Sequence, residues 1–311
     1  MRGGDLPRAA WAALGGPEGT EQTSQGGASA GSAAAPCDSA GSAAAPISRQ
    51  SVEAAVAAVL AAGELHLDLL GQIPGAEVGR KSSRRDLVTA ADLGAERLVV
   101  ERLRALDDGA AIEAEEETSD EASEGLRWFL DPLDGTVNFV HGIPMFSVSL
   151  ALYRGAVPIF GVVHAPRLGE TFVAAQGAGA WLLEGAGGPA RLSVSATTDL
   201  SESILATGFP YRRGELANSN LENFGRFFYD VRGLRRLGSA ALDLAYVAAG
   251  RLDGFWELHL SPFDVAAGAL LVREAGGVVR DFSGGERWLR GGEILACAPG
   301  LWEPMGSRLE G

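Results

Sequence analysis

Cysteine is nearly missing. The chain has two, Cys37 and Cys297, in 311 residues, and neither has metal-like spacing. A disulfide framework is therefore excluded, and so sparing a use of thiols fits a reducing compartment. Positive charge is also scarce, with 26 Lys and Arg against 40 Asp and Glu, a net charge of −14 and a sequence pI of about 4.8. So acidic a chain is a poor binder of nucleic acid or anionic membrane through simple electrostatics. No apolar run reaches the roughly 20 residues needed to cross a bilayer. The histidines are few. His141 and His259 have no second metal-type ligand at helical or turn spacing, and His66 falls inside a helical pattern and reads as structural. No Ser–His–Asp or Cys–His arrangement is readable, which disfavours a covalent hydrolase.

With 46% hydrophobic residues, the chain can build one large α/β unit or two packed halves. Residues 1–46 stand apart. The octapeptide at residues 29–36 recurs at 39–46, and its Gly, Ala, Ser and Pro cannot offset the entropy of ordering, so this segment reads as a disordered tail. It lacks the apolar core of a secretory signal, while a transit peptide stays open. Residues 47–311 form the folded unit, in halves of about 47–195 and 196–311. Its first half opens with a helix over 51–70, a polar loop at 81–85 and a helix over 92–106. Strands follow at 110–114, 129–131, 146–153, 156–164, 171–175 and 180–183. Strands at 203–207, 234–237, 253–258, 278–279 and 294–296 then alternate with helices at 215–230, 239–249 and 264–275. That alternation predicts layered α/β architecture.

Asp131-Pro132-Leu133-Asp134-Gly135-Thr136 is the most telling stretch. It follows the apolar Trp128-Phe129-Leu130, and Pro132 and Gly135 are expected to break the strand into a turn. Two carboxylates three residues apart at a strand end are what a hard divalent cation takes, and Mg²⁺ is usually held by a few carboxylates plus substrate phosphate. The free N–H groups of Gly135 and Thr136 would suit a phosphate. Asp92 and Asp264 open predicted helices, and Glu115 follows a predicted strand. Taken singly, the ordinary readings are helix caps for the two Asp and a solvated face for Glu115-Glu116-Glu117. Together they suit a site built at element ends over a rigid frame.

These segments resemble the inositol monophosphatase family. Lys81-Ser82-Ser83 with Asp86-Leu87-Val88-Thr89-Ala90-Ala91-Asp92 is similar to an early family motif, and Ala114-Glu115-Glu116 to its Glu-Glu motif. Trp128 through Phe139 resembles its first signature. Arg235 through Asp243 is similar to a later segment. Trp256-Glu257, Pro262-Phe263-Asp264-Val265-Ala266-Ala267-Gly268 and Glu274-Ala275-Gly276-Gly277 resemble the second signature. At residue frequencies near ~5%, six fixed positions of one signature would coincide by chance about once in ~10⁸ starts. Phe263 stands where the family often has Trp.

The resemblance implies a five-layer αβαβα sandwich of the sugar-phosphatase type, a homodimer in the cytoplasm, lithium sensitivity and two or three Mg²⁺ ions. Glu115, Asp131 and the Leu133 carbonyl would hold one ion, and Asp131, Asp134 and Asp264 a second, with Glu115 helping a third through water. Asp92 and Thr136 would orient the attacking water. Gly135 and Thr136 would cradle the phosphate, and Ala240 and Glu257 would contact the sugar alcohol. The expected substrate is a small phosphorylated polyol, with inositol phosphate ahead of fructose bisphosphate, histidinol phosphate and phosphoadenosine nucleotides. A non-catalytic regulatory protein on the same fold is the alternative.

Overall fold

The computed structural model describes residues 6–14, 47–70, 81–121, 125–184, 188–210 and 214–310. Helix α1 (Leu6–Ala13) is followed by the long pair α2 (Arg49–Leu70) and α3 (Lys81–Arg104). A seven-stranded sheet comes next: β1 (Ala111–Ala114), β2 (Leu126–Asp134), β3 (Ser147–Arg154), β4 (Val157–Ala165), β5 (Glu170–Ala175), β6 (Gly179–Glu184) and β7 (Gly188–Arg191), in that spatial order. Only β1 and β2 run parallel in it. The short α4 (Thr136–Val140) lies between β2 and β3. The second sheet has the order β11-β12-β10-β8-β9. Its strands are β8 (Ile204–Thr207), β9 (Gly233–Arg235), β10 (Gly254–Leu258), β11 (Val278–Arg280) and β12 (Glu293–Cys297). Interleaved with them are α5 (Leu221–Phe227), α6 (Ala240–Ala248), α7 (Pro262–Glu274), α8 (Trp288–Gly291) and α9 (Trp302–Gly306).

The hydrophobic clusters show how these elements layer. Val52, Val56 and Val59 of α2 and Val99 and Leu103 of α3 pack on Trp128, Leu130, Leu150 and Phe160 of the large sheet. Phe129, Ala151 and Phe172, on the opposite face, meet α6 and α7 through Leu244, Ala266 and Leu270. The same helices cover Phe255 and Ala296 of the second sheet. The outer face of that sheet packs Leu205, Trp256 and Leu295 against Phe227 of α5 and Met305 of α9. The sequence of layers is therefore α2/α3, sheet, α6/α7, sheet, α5/α9, the five-layer sandwich that was expected.

Several local expectations need correction. The polar 81–85 segment is the first turn of α3, which runs unbroken through Asp92. No Pro or Gly interrupts residues 81–93, so nothing stops the helix. Asp92 is thus mid-helix and no cap. β2 continues through Pro132 to Asp134, with the register shift between Asp131 and Asp134 absorbing the proline as a bulge. The helix expected over 215–230 shrinks to Leu221–Phe227. Within the segment read as a disordered tail, Leu6–Ala13 is a helix whose Ala10 and Trp11 join the α2/α3 core. The repeat at 29–46, with Cys37, lies outside the described residues. Cys297 is buried and its thiol is pushed up to about 12 by that burial.

His66 of α2 and His164 of β4 are both buried. Among the described residues neither ring nitrogen of His66 has a well-formed hydrogen bond, the nearest backbone group being that of Ala91, and its ring packs edge-on against Phe139 and Phe146. Nδ1 of His164 lies 2.9 Å from Thr171 Oγ1. Burial lowers both to about 4, and for His66 the nearby His164 adds to the effect. A lowered pKa means the folded state resists protons that the unfolded chain accepts. No stability is lost above about pH 6.5; the loss grows as pH falls from there toward 4 and approaches about 3 kcal/mol per histidine. His66→Leu should therefore gain on the native protein as the medium is acidified. Urea unfolding of the two at pH 7 and pH 4.5 checks the sign, since other groups titrate alike in both.

Candidate active site

Strand periodicity aims the first carboxylate. Phe129 faces the α6/α7 layer, and Asp131, two residues on, shares that face. Parallel pairing of Ala114 with Leu130 brings Glu115, the next residue after β1, alongside Asp131, and the Glu115 N–H donates to the Leu130 carbonyl at 3.2 Å. From across the layer come the N-termini of α6 and α7. Ser239 caps α6 and donates through Oγ to Asp134 Oδ2 at 2.6 Å, while the Ala241 N–H donates to the same oxygen at 2.7 Å. Asp264 sits in the first turn of α7, where Oδ2 accepts the Ser261 N–H at 2.7 Å in a capping box. Asp264 does not open the helix as expected, since Ser261 is the N-cap; it completes the cap from the third helical position, and its carboxyl also reaches Asp131. The positive ends of both helices face the acids, which helps hold them together.

Glu115, Asp131, Leu133, Asp134, Gly135, Thr136, Ala240, Glu257 and Asp264 all line one cleft of about 340 Å³. Phe209, Pro210, Leu216, Phe263 and His259 form its less polar wall, and Arg236 stands exposed at its mouth. Asp92 does not line the cleft itself. It is buried on α3, near enough to Glu115 to act on its charge. The Thr136 hydroxyl donates to the Leu133 carbonyl at 3.1 Å, and no bond ties it to Asp92.

Crowding shows in the acid strengths. Burial is the leading cause throughout. It raises Asp131 well above the usual carboxylate range, with Glu115, Asp134 and Asp264 adding repulsion. Asp264 is pushed up to about 8 and Glu115 to about 7. Asp134 reaches only about 6, because Ser239 and the α6 N–H groups oppose its burial. Asp92 rises to about 7 through burial and Glu116. Asp131 lies within hydrogen-bonding reach of both Glu115 and Asp264, an approach that two anions make only with a proton or a cation between them. Hard oxygen donors in such density fit Mg²⁺. Among the described residues no three acidic, His or Cys side chains stand close enough together to hold a metal ion as placed. The fit is one of donor chemistry and convergence, with Asp134 and Asp264 each turning one oxygen toward backbone donors.

Opposite the acids, Glu257 of β10 is buried and pushed up to about 8, burial outweighing the attraction of Arg236. A Cβ on Gly208, just past the neighbouring β8, would fall 2.1 Å from both Glu257 carboxyl oxygens. Gly208→Ala is therefore expected to displace Glu257 and raise KM about tenfold or more, the order seen when one buried polar partner is lost. An unchanged KM in steady-state kinetics would show that Glu257 has room to move. Sequence reading missed this contact, because the 207–213 stretch could not be mapped; Phe209 and Pro210 lie on the cleft, and 211–213 are outside the described residues. It also missed Asp243 of α6, whose buried Oδ1 has no hydrogen-bond partner among the described residues and whose carboxyl is held far above its ordinary range by burial and by Glu257. The helical spacing Ser239–Asp243 was the available signal.

Comparison with known proteins places the whole chain. Residues 48–308 match the model of the inositol monophosphatase family. The protein named Nus factor SuhB of Escherichia coli K12 is 41% identical over 235 residues, covering 75% of this chain and 86% of its own. An inositol-1-monophosphatase of Mesorhizobium japonicum is 41% identical over 243 residues, covering 78% and 89%. The structure of an inositol monophosphatase from Anabaena sp. PCC 7120 superposes with a TM-score of 0.73 at 37% identity, over 82% of this chain and 93% of that one. Motifs, five-layer architecture and these matches agree: the chain belongs to the inositol monophosphatase family.

Proposed function

We propose that the cleft hydrolyses a phosphate monoester of a small polyol, with myo-inositol 1-phosphate as the preferred substrate. The observation that carries this reading is the convergence of Glu115, Asp131, Asp134 and Asp264, from three separate segments, opposite the buried Glu257. The four side chains and the Leu133 carbonyl would hold Mg²⁺. Bound there, Mg²⁺ supplies the positive charge that neutralises phosphoryl oxygens and makes water more acidic. The chain's own groups do the rest. Gly135 and Thr136 offer N–H groups to the phosphate at the β2–α4 turn. Asp92, behind Glu115, would help orient the attacking water, and Glu115 would help receive the proton that water must lose. Thr136 orients that water through its hydroxyl. Glu257 and Ala240 contact the polyol. No nucleophilic side chain intervenes, so displacement is direct.

Lithium inhibition, a homodimer and a cytoplasmic location belong to the same reading. Among the described residues no helix is long and apolar enough to cross a membrane. The test is phosphate release with Mg²⁺ from inositol 1-phosphate, fructose 1,6-bisphosphate, histidinol phosphate and a phosphoadenosine nucleotide. Inositol 1-phosphate should lead in kcat/KM by about tenfold, roughly one good polar contact. Preference for another of the four would reassign the substrate, and silence toward all would reject the enzyme. The second reading is a regulatory role, favoured by the relatives named Nus factor SuhB. Retention of all the acids supports catalysis over a purely regulatory chain.

A further inference from the structure

Glu96 lies on α3 one turn beyond Asp92, on the same helical face, and is 1% exposed. Its carboxylate accepts three consecutive backbone N–H groups. Oε2 takes that of Glu116 at 2.9 Å, and Oε1 takes those of Glu117 at 3.0 Å and Thr118 at 2.8 Å. The loop they belong to follows β1 directly and folds back on it, with the Ala114 N–H donating to the Thr118 carbonyl at 2.8 Å. Glu115 is the first residue of that loop, and its own N–H is fixed on Leu130. Its backbone is thus pinned on one side by β2 and on the other by Glu96.

Charge alone argues against an acid here. Glu96 raises the neighbouring Glu116 by repulsion, and the loop carries three Glu in succession. The gain must come from the three oriented N–H dipoles, which a carboxylate accepts better than any neutral group. An apolar residue would fill the space and leave three donors unpaired. We propose that Glu96 is a positioning residue, which holds the 116–118 backbone so that the Glu115 side chain is set toward Asp131. α3 then serves the site twice, with Asp92 acting near Glu115 and Glu96 fixing the loop that carries it. The consequence for Mg²⁺ rests on the function proposed above; the consequence for the loop does not.

The experiment uses the full chain with Glu96→Gln, Glu96→Leu and, as a control for stability alone, Leu103→Ala in the core side of the same helix. Two quantities are read without substrate: hydrogen exchange of the 116–118 amides in metal-free protein, and Mg²⁺ affinity by calorimetry. Glu96→Leu should speed exchange at those three amides at least about tenfold. It should weaken Mg²⁺ binding about 10- to 100-fold, the range for partners that orient a ligand. Glu96→Gln keeps the oxygen facing Glu117 and Thr118 and should fall between. Leu103→Ala should lower the melting temperature and leave Mg²⁺ affinity within about twofold, since it touches no loop donor. Unchanged exchange in Glu96→Gln and Glu96→Leu, or native Mg²⁺ affinity in them, overturns the assignment. If Glu96→Leu does not fold, Glu96→Gln decides by the same two readings. A native protein that binds Mg²⁺ yet releases no phosphate overturns the proposed function alone and leaves this comparison intact.

Discussion

Asp131→Asn is expected to lower Mg²⁺-dependent phosphate release by about 10³-fold while the protein stays folded, on the scale of losing a preorganised charge from an active site. Asp131 is the hub of the cluster, within reach of Glu115 and Asp264 and repelled by Asp134 as well. The amide is nearly isosteric. It can keep the bond in which the Leu133 N–H donates to Oδ1 at 3.0 Å, so the bulge that ends β2 survives. What it removes is an ionisable group that burial and its acidic neighbours force toward the protonated form at a cost in stability. Without Mg²⁺ the variant should therefore melt slightly higher than the native protein, because that cost is relieved; about 1 kcal/mol of relief corresponds to roughly 2–4 °C in a chain of this size. With excess Mg²⁺ the order should reverse, since the native protein gains binding energy that the variant lacks. Thermal unfolding with and without Mg²⁺, beside the kinetics, separates lost chemistry from lost fold. Near-native turnover would reject Asp131 as a ligand, and a lower melting point in chelator would show that its charge is structurally satisfied.

How far the sequence discloses the site depends on the kind of signal. Asp131, Asp134 and Gly135 share six residues whose apolar approach and glycine speak locally, and the strand and the turn at Gly135 follow from them, whereas the bulge that carries β2 through Pro132 does not. Asp264 is local too, as a first-turn acid after Ser261-Pro262. That these acids meet is not a local fact. It depends on β1 pairing parallel with β2, which sets Glu115 beside Asp131, and on α6 and α7 crossing between two sheets with their N-termini at the same end. Only the family resemblance carried that information. Glu96 stayed silent for the same reason. In sequence it is one more Glu on a charged helix, and its three partners lie 20 to 22 residues away. α1 was missed because a short Ala-rich segment has little helical drive in isolation, and packing of Ala10 and Trp11 on α2 supplies the rest. The α3 boundary was misjudged because Ser and Arg look like a loop by composition, although straight-chain Arg and Lys favour helix once neighbours do.

Gly135→Ala should be the most damaging single methyl group added to this molecule. Gly135 has φ of +93°, and left-handed backbone costs a residue with a Cβ about 1 kcal/mol or more. Its surroundings make that cost larger. A Cβ there would lie 2.8 Å from the Met145 carbonyl oxygen, 3.2 Å from the Gly238 carbonyl oxygen and 3.2 Å from the Phe146 Cα. All three are main-chain atoms, so no side chain can swing aside. The first and third belong to the approach to β3 and the second to the turn that opens α6, which brings Ser239 to Asp134. Relief of the clash therefore pushes apart the elements that assemble the acids. Together the strain and the clash should destabilise the protein by about 2–4 kcal/mol, in the range of special backbone positions. Phosphate release should fall at least about 100-fold, because the displaced N–H groups of Gly135 and Thr136 are the proposed phosphate donors. Gly142→Ala is the matched control: Gly142 lies just past the other end of α4, φ is +69°, and nothing lies within 4 Å of the added Cβ. It should cost only the backbone term, about 1 kcal/mol, and keep near-native turnover. Denaturant unfolding and steady-state kinetics on the pair isolate close packing from backbone preference, and equal damage from both substitutions would mean that the junction of β3, α4 and α6 yields more easily than its geometry implies.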